Sequence, residues 1–381
     1  MKILFPYMAR WHAVNWTRYH SLLTVMADKG HEVVVLQPPA LDSSETNYQE
    51  IEAVAHRNIE IIDVPVPDLL WKRKFPLDKL VKKALYSLYA YRHSRRLVEE
   101  KGIDTILLYN IPQYQFSRIG GVDQIFDYAD DYINMLEIEL GPLSNPLTSA
   151  LASRMLRNMM TRARYTLSVS HELGRSAWGD VRVIPNGVGA GDVLPAAQLD
   201  GRPVIQGDRM VVGFLGAFEY FIDLDLILDT AQRLPDVDFL LVGSGREWER
   251  VRARVDDEFL NNVTLTGGVP HSEVFGYIRK MDVCLNVFRK IPVSHRACPI
   301  KLFEYMSQGR PVVSTRLDEL RHIDKGYLYY ADDVDEMVDT LRAIGRQPEQ
   351  AMIRARQGYQ DTISSYTWEK LADDVITLLE E

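Results

Sequence analysis

The sequence predicts an α/β chain of two open, doubly wound domains in tandem. Three observations carry this reading. The length, 381 residues, is about two and a half times an ordinary domain. Short all-apolar runs alternate with helical stretches, the pattern of parallel sheets covered on both faces. The alternation then restarts after an aperiodic stretch, 189–209, rich in Gly, Pro, Ala and Asp. Hydrophobic residues at 46% and charged ones at 25% exclude collagen-like, disordered and disulfide-scaffold classes. No stretch approaches the roughly 18 apolar residues of a membrane span. Met1-Lys2-Ile3-Leu4-Phe5-Pro6 reads as a buried strand rather than a signal peptide. Cys284 and Cys298 are the only cysteines, too few for a disulfide framework or a metal cluster, so a reducing cytoplasm is the expected location.

Lys2 to Tyr7 is the first strand, followed by a polar and aromatic loop from Met8 to Trp16. A helix over Thr17 to Lys29 stops at Gly30, where positive φ is tolerated. Glu32 to Leu36 is the next strand, ended by Pro38 and Pro39. Further apolar runs stand at Ile59–Val64, Thr105–Tyr109, Gln124–Tyr128 and Tyr165–Ser170, with helices at 77–98 and 148–163. The second series opens at Met210–Gly216. It continues with strands at 237–242, 262–266, 282–287 and 311–314, and helices at 222–234, 246–258, 271–280 and 300–308. Ligands of such sheets bind outside the carboxyl ends of the strands, which for two facing domains means the cleft between them.

Gly243-Ser244-Gly245 follows a strand and precedes a helix, but a dinucleotide fingerprint needs a small residue where Trp248 stands. No glycine loop ends in Lys-Ser or Lys-Thr. A tight turn is the reading, and a nicotinamide enzyme is disfavoured. The informative segment is Pro299 to Thr315: a loop, a short helix and a buried strand. Lys301 and Glu304 share one face near that helix's N-terminus, where free N–H groups and a partial positive charge suit a diphosphate. The lysine adds a phosphate cation, and a carboxylate one turn on can accept hydrogen bonds from vicinal ribose hydroxyls. The plain alternative is a surface Lys–Glu pair worth a few tenths of a kcal/mol.

Lys301-Leu302-Phe303-Glu304-Tyr305-Met306-x-x-Gly309-x-Pro311-Val312-Val313 resembles the donor-site signature of GT-B nucleotide-sugar glycosyltransferases of the family 4 and family 1-like, bacterial polysaccharide type. Gly30-His31-Glu32-Val33, Val183 to Val188, Gly213 to Ala217, Leu241 to Gly245, Leu265 to Pro270 and Tyr366 to Glu369 match that family in order. The resemblance implies two Rossmann-like domains facing across a cleft: an acceptor domain over 1–190, a linker at 191–209, and a donor domain over 210–359. The helix 360–381 would return to the first. It implies Lys301 on the diphosphate and Glu304 on the ribose, with Gly216 and Ala217 offering backbone N–H groups to the phosphates. Gly268 and Val269, up to Pro270, would hold the base, with Arg289 as a second phosphate cation. No metal or cofactor is implied, since cations and a helix N-terminus neutralise the leaving group. Asp223-Leu224-Asp225 is read as capping or lining a helix.

The chain departs from the retaining branch of that family in two places. Arg296 replaces a glutamate eight residues before Glu304, and Glu219 to Asp223 replace an arginine and a lysine. Inverting or retaining stereochemistry is therefore left open.

Phe126-Asp127-Tyr128-Ala129-Asp130-Asp131-Tyr132 puts three carboxylates at a strand end. It resembles a segment of some bacterial polysaccharide glycosyltransferases, including the glucuronosyltransferase of xanthan synthesis. Inverting transfer needs a base for the acceptor hydroxyl, and clustered carboxylates raise one another's proton affinity. Asp130 or Asp131 is that candidate catalytic base, helix capping is the competing role, and His12, His20 and His171 are rivals.

Net charge is −9, all of it in residues 193–381 (22 basic, 31 acidic), while Lys72 to Lys101 holds ten basic and three acidic residues. An acidic chain with one basic stripe is no general nucleic-acid binder. Leu77, Leu80, Val81, Ala84, Leu85 and Leu88 recur at helical spacing with Lys79, Lys82 and Lys83 between them. This describes a sheet-covering helix with a solvated face. With Trp71, Lys72, Arg73, Lys74 and Phe75 it also describes a dock at 71–101 for an anionic membrane, which suits peripheral attachment at the cytoplasmic face.

The sequence is thus read as a glycosyltransferase moving a sugar from a nucleotide sugar, UDP-linked, to a hydroxyl of a lipid-linked or saccharide acceptor in polysaccharide or glycan synthesis. The alternatives are a sugar-nucleotide epimerase of the same fold and a non-catalytic nucleotide-sugar binding subunit.

Overall fold

Strand β1 (Lys2–Pro6) is buried from Ile3 onward, as a central strand of a parallel sheet must be. It pairs in parallel with β2 (Glu32–Gln37) and β4 (Thr105–Leu108). With β3 (Ile59–Asp63), β5 (Asp123–Tyr128), β6 (Tyr165–Ser168) and β7 (Val181–Val183) it forms a sheet of order β3-β2-β1-β4-β5-β6-β7. The computed structural model describes residues 1–12, 16–40, 56–75, 78–201 and 203–381. It divides into one unit of Met1–Ile184 with Ala372–Glu381 and another of Pro185–Leu371.

In the first unit, α1 (Arg18–Asp28) starts where the His20 ring accepts the Thr17 N–H at 3.1 Å, closing a capping box. The other ring nitrogen of His20 meets the Trp11 carbonyl at 2.8 Å, so this histidine is committed to structure. Next come α2 (Asp78–Lys101), a 3₁₀ segment (Ile111–Arg118), α3 (Tyr132–Leu140) and α4 (Pro146–Arg162). Leu77, which the sequence places at the head of the amphipathic stripe, lies outside the described residues. Helix α3 and the 3₁₀ segment carry no clear apolar period and were not expected from the sequence.

The second unit holds β8 (Val211–Leu215), β9 (Asp238–Val242), β10 (Val263–Leu265), β11 (Val283–Asn286), β12 (Val312–Ser314) and β13 (Tyr329–Tyr330). All are parallel, in the order β10-β9-β8-β11-β12-β13. Its helices are α5 (Leu224–Arg233), α6 (Trp248–Asp257), α7 (His271–Ile278), α8 (Ile300–Ser307), α9 (Val334–Arg346), α10 (Pro348–Ser365) and the start of α11 (Trp368–Glu380). In each sheet the winding reverses once, between β1 and β4 and between β8 and β11. The carboxyl ends at such a reversal diverge and open a crevice for a ligand.

Two expectations are corrected. The stretch 191–209, expected as a linker, packs onto the second unit. Leu194 and Leu199 are buried with Tyr359, whose hydroxyl donates to the Leu194 carbonyl at 2.8 Å. Each such apolar side chain contributes roughly 1.5–3 kcal/mol on burial, which keeps the segment in place despite its weak periodicity. The C-terminal helix expected over 360–381 is interrupted. The Tyr366 carbonyl accepts the Val188 N–H (3.0 Å) and the Val188 carbonyl accepts the Trp368 N–H (2.9 Å), so pairing with Val188 replaces helical bonds there. Among the described residues no helix is long and apolar enough to cross a membrane.

Candidate functional site

In the second unit the site forms at the β8/β11 reversal. The chain leaves β8 through Gly216, at φ +139°, and a Cβ there would stand 2.6 Å from Lys301 Nζ. Only glycine accepts both the backbone and the approach. Gly243 has φ +137°, and a Cβ would meet the Gly216 carbonyl at 1.9 Å. The three glycine turns are tied in series: Gly216 N–H to the Val242 carbonyl and Gly243 N–H to the Gly267 carbonyl, both 2.9 Å. Gly243-Ser244-Gly245 thus forms a tight turn that braces the Gly216 and Gly267 turns. Ala217 and Gly268 are exposed and Val269 is half-buried on these turns.

Helix α8 brings its side chains to the same place because Tyr305, one of its buried residues, accepts the Leu215 N–H at 2.8 Å and so fastens the helix to the end of β8. Lys301 Nζ lies 4.1 Å from the Phe214 ring centroid and 5.5 Å from that of Phe288. Burial holds its ammonium well below the usual range, down to about 7, with Glu304 opposing. Burial pushes the Glu304 carboxyl up to about 7, with Lys301 opposing and Asp192 adding. Among the described residues neither group has a hydrogen-bond partner. A desolvated cation and carboxylate without partners are matched by a ligand that brings an anion to one and hydroxyls to the other.

The structure therefore groups Lys301, Glu304, Gly216 and Ala217, and ties the Gly268–Val269 turn to them through Gly267. It does not join Arg289 to this group, since its guanidinium donates to Asp225 at 3.0 Å. Asp225 also receives Arg250 (2.7 Å) and Arg254 (3.0 Å). Asp223 caps α5 by accepting the Leu226 N–H. Phe214 and Phe288, the rings beneath the ammonium, were missed by sequence reasoning because apolar strand residues carry no mark of what lies above them.

In the first unit, the carboxylates at the end of β5 separate into three roles. Asp127 is fully buried and paired with Arg18, Oδ2 to Nε at 2.9 Å and Oδ1 to Nη2 at 3.2 Å. Asp131 caps α3, accepting the Asn134 N–H at 3.3 Å, which is the competing role anticipated for it. Asp130 is exposed. The surrounding protein and then the Asp127 and Asp131 charges push its carboxyl up to about 7, with Arg18 opposing. Water offsets part of the burial cost at an exposed group, and the like charges keep the direction upward. His12 is held below its usual range by burial and Arg10, with Asp63 opposing. His171 opens the short helix His171–Gly174. Arg18 was missed in the sequence, where a lone arginine in an amphipathic helix gives no sign of its partner.

The basic stripe is corrected in one respect. Trp71, expected on a membrane-facing surface, is buried and donates to the Pro39 carbonyl at 3.0 Å. Lys82 pairs with Asp78, and Lys72 with Asp68. Arg73 and Lys74 are exposed.

Residues 209–347 match the family model described as "Glycosyl transferases group 1". The chain is 26% identical over 348 residues, 87% of its length and 84% of the relative's, to the "Putative teichuronic acid biosynthesis glycosyltransferase TuaH" of Bacillus subtilis (strain 168). Among solved structures, sucrose-phosphate synthase from Thermosynechococcus elongatus superposes with a TM-score of 0.77 at 17% identity, covering 100% of this chain and 98% of that one. Anabaena Alr3699/HepE, solved in complex with UDP and glucose, superposes with a TM-score of 0.71 at 15% identity over 100% of both chains.

Proposed function

We propose that this chain, a glycosyltransferase of GT-B fold whose residues 209–347 form a glycosyl transferases group 1 domain, takes its sugar from a UDP-linked nucleotide sugar. It hands that sugar to a hydroxyl of a lipid-linked or saccharide acceptor in cell-surface polysaccharide or glycan synthesis, at the cytoplasmic face of a membrane. The observation that carries the donor reading is the pair Lys301–Glu304, desolvated and without hydrogen-bond partners beneath the Gly216 turn. UDP in a relative of the same fold, and the teichuronic acid pathway in the name of another, support it.

The chemistry follows from that pair. A diphosphate arriving beside Lys301 restores its full charge, because an anion at contact offsets the desolvation that lowers the ammonium. The Ala217 N–H group and the N-terminus of α8 share the developing negative charge as the sugar–phosphate bond breaks, while the Gly216 N–H stays with the Val242 carbonyl and Gly216 contributes only its open approach. Glu304 accepts the ribose hydroxyls, and the Gly268–Val269 main chain meets the base. On the first unit, Asp130 receives the acceptor proton: its raised proton affinity suits a base working near neutrality, and it is not held by a cap as Asp131 is.

Calorimetric titration with UDP tests the donor assignment. Lys301→Ala should weaken binding by about tenfold to a hundredfold, the loss of one desolvated charge-assisted contact. Unchanged affinity in a folded Lys301→Ala protein would place the nucleotide elsewhere and overturn the reading.

A further inference from the structure

Helix α4 turns to solvent a face that the reaction described so far does not use. Its buried residues, Ala152, Leu156, Met159 and Met160, pack it onto the first unit. On the opposite face Leu147 is 79% and Leu151 59% exposed, and Leu143, just ahead of the helix, is 58% exposed. The same face continues with Arg154 and Arg157, both exposed, at three-residue steps after Leu151. Soluble surfaces scatter exposed leucines singly; three on successive turns form a patch. Met155, one turn after Leu151, lines a cavity together with Leu88 of α2 and Met135 of α3. Those two are themselves 43% and 41% exposed, so apolar surface continues past the edge of α4.

The charge on this face has one sign. Helix α4 carries Arg154, Arg157 and Arg162 and no acidic residue. Arg162 donates to the Ser117 hydroxyl at 3.5 Å. Among the described residues the guanidiniums of Arg154 and Arg157 have no hydrogen-bond or ion-pair partner. The stripe at 71–101 differs in this respect, since Lys72 pairs with Asp68, Lys82 with Asp78 and Lys101 with Glu60. Helix α3 contributes two acids, Glu137 and Glu139. Glu137 accepts the Ser149 hydroxyl at 2.6 Å, and Ser149 stands one turn before the buried Ala152, on the packed side of α4.

We infer that the exposed face of α4 lies on an anionic lipid bilayer, with Leu143, Leu147 and Leu151 in the acyl boundary and Arg154 and Arg157 at the headgroup phosphates. The inference rests on the membrane location in the proposed function and deepens it by naming the surface that makes the contact. Leucines suit the acyl boundary, and arginine stems are long enough to return their charge to the headgroups. A protein interface would draw on Tyr, Trp or Phe at its centre, and α4 has none.

The test sediments the full chain, without nucleotide, with vesicles of phosphatidylglycerol and phosphatidylcholine in equal parts and with vesicles of phosphatidylcholine alone. The mixed vesicles should bind at least about tenfold more tightly, and high salt should remove most of that difference. Arg154→Gln with Arg157→Gln should weaken binding to mixed vesicles by about tenfold to thirtyfold. Leu147→Ser with Leu151→Ser should weaken it by about tenfold or more. All four side chains are exposed, so both double variants should keep native circular dichroism. Arg73→Gln with Lys74→Gln, in the stripe, should change binding by no more than about twofold. Failure to bind mixed vesicles would overturn the inference, as would full binding in either α4 double variant or a larger loss from the stripe variant. A dimer in sedimentation equilibrium that Leu147→Ser with Leu151→Ser dissociates would also overturn it, by placing a second copy on this face. UDP titration without vesicles reads the donor assignment separately: its failure would sink that assignment and leave the vesicle result standing.

Discussion

Replacing Asp127 by asparagine separates the ion-paired carboxylate of the β5 end from Asp130, the one proposed as the base. Asp127 and Arg18 are 0% and 5% exposed and joined by two hydrogen bonds of 2.9 and 3.2 Å. Asparagine keeps the shape but removes the charge, taking two charge-assisted hydrogen bonds from a buried guanidinium. Breaking a pair of this kind costs about 3–5 kcal/mol, so the urea midpoint of the first unit should fall accordingly. The second effect is on Asp130. Its carboxyl is raised to about 7 by the surrounding protein, then by the Asp127 and Asp131 charges, against Arg18. Asp127→Asn deletes one of two raising charges and leaves Arg18 opposed by Asp131 alone, so Asp130 must lose its proton at lower pH. A base is active only when deprotonated, and the wild-type rate should therefore fall as pH drops through the raised range of that carboxyl, above the ordinary 3.8. In the variant that acidic limb should move down by about one unit. The assay is the pH profile of kcat/KM at a temperature where the variant stays folded, beside urea unfolding. An acidic limb that stays in place, or moves up, would refute Asp130 as the base; a stability loss below about 1 kcal/mol would refute the account of the ion pair.

Two further substitutions probe the donor side. Gly216→Ala forces an L-residue to φ +139° with its Cβ 2.6 Å from Lys301 Nζ; unfolding stability should drop by about 1–3 kcal/mol, and the displaced ammonium should weaken UDP binding by at least about tenfold in titration calorimetry. Glu304 is held protonated up to about 7 against an ordinary value of 4.5, so the native state binds more protons than the unfolded one in that window and stability falls as pH rises through it. Glu304→Gln removes this loss, though it also removes the negative charge that opposes the lowering of Lys301. The ligand-free protein at pH 8 should be as stable as wild type or up to about 1 kcal/mol more so, while UDP binds more weakly; thermal melts against pH, with a clear loss of stability and intact UDP affinity as the contrary outcome, decide it.

The helix that carries Lys301 and Glu304 was legible in the sequence because its polar pair and its position coincide. Lys301 and Glu304 are polar residues in an otherwise buried run, and a polar pair inside an apolar pattern declares itself. The alternation of strands and helices was legible for the same reason, since both faces of each sheet are covered and every strand must read as apolar. The ion pair of Arg289 was not legible because its place after β11 says nothing of Asp225, which lies 64 residues earlier and accepts from its guanidinium. The 191–209 stretch was taken for a linker because two buried leucines, Leu194 and Leu199, make no periodicity; their partner Tyr359 is more than 150 residues away.

The division between the two kinds of knowledge has one physical origin. Local pattern determines which segments form strands and helices, where helices begin, and which residue types reach a strand's carboxyl end, because those depend on neighbours a few positions apart. Charge state, commitment and cavity do not. Whether Asp127, Asp130 or Asp131 is an ion-pair partner, an exposed carboxylate or a cap depends on Arg18, on open solvent and on the Asn134 N–H. A cavity of about 430 Å³ in the first unit is lined jointly by α2, α3, α4 and the 3₁₀ segment, four stretches spread between Leu80 and Met155 of the chain. Burial and proximity across the chain set proton affinities and empty space, and those are properties of the folded packing alone.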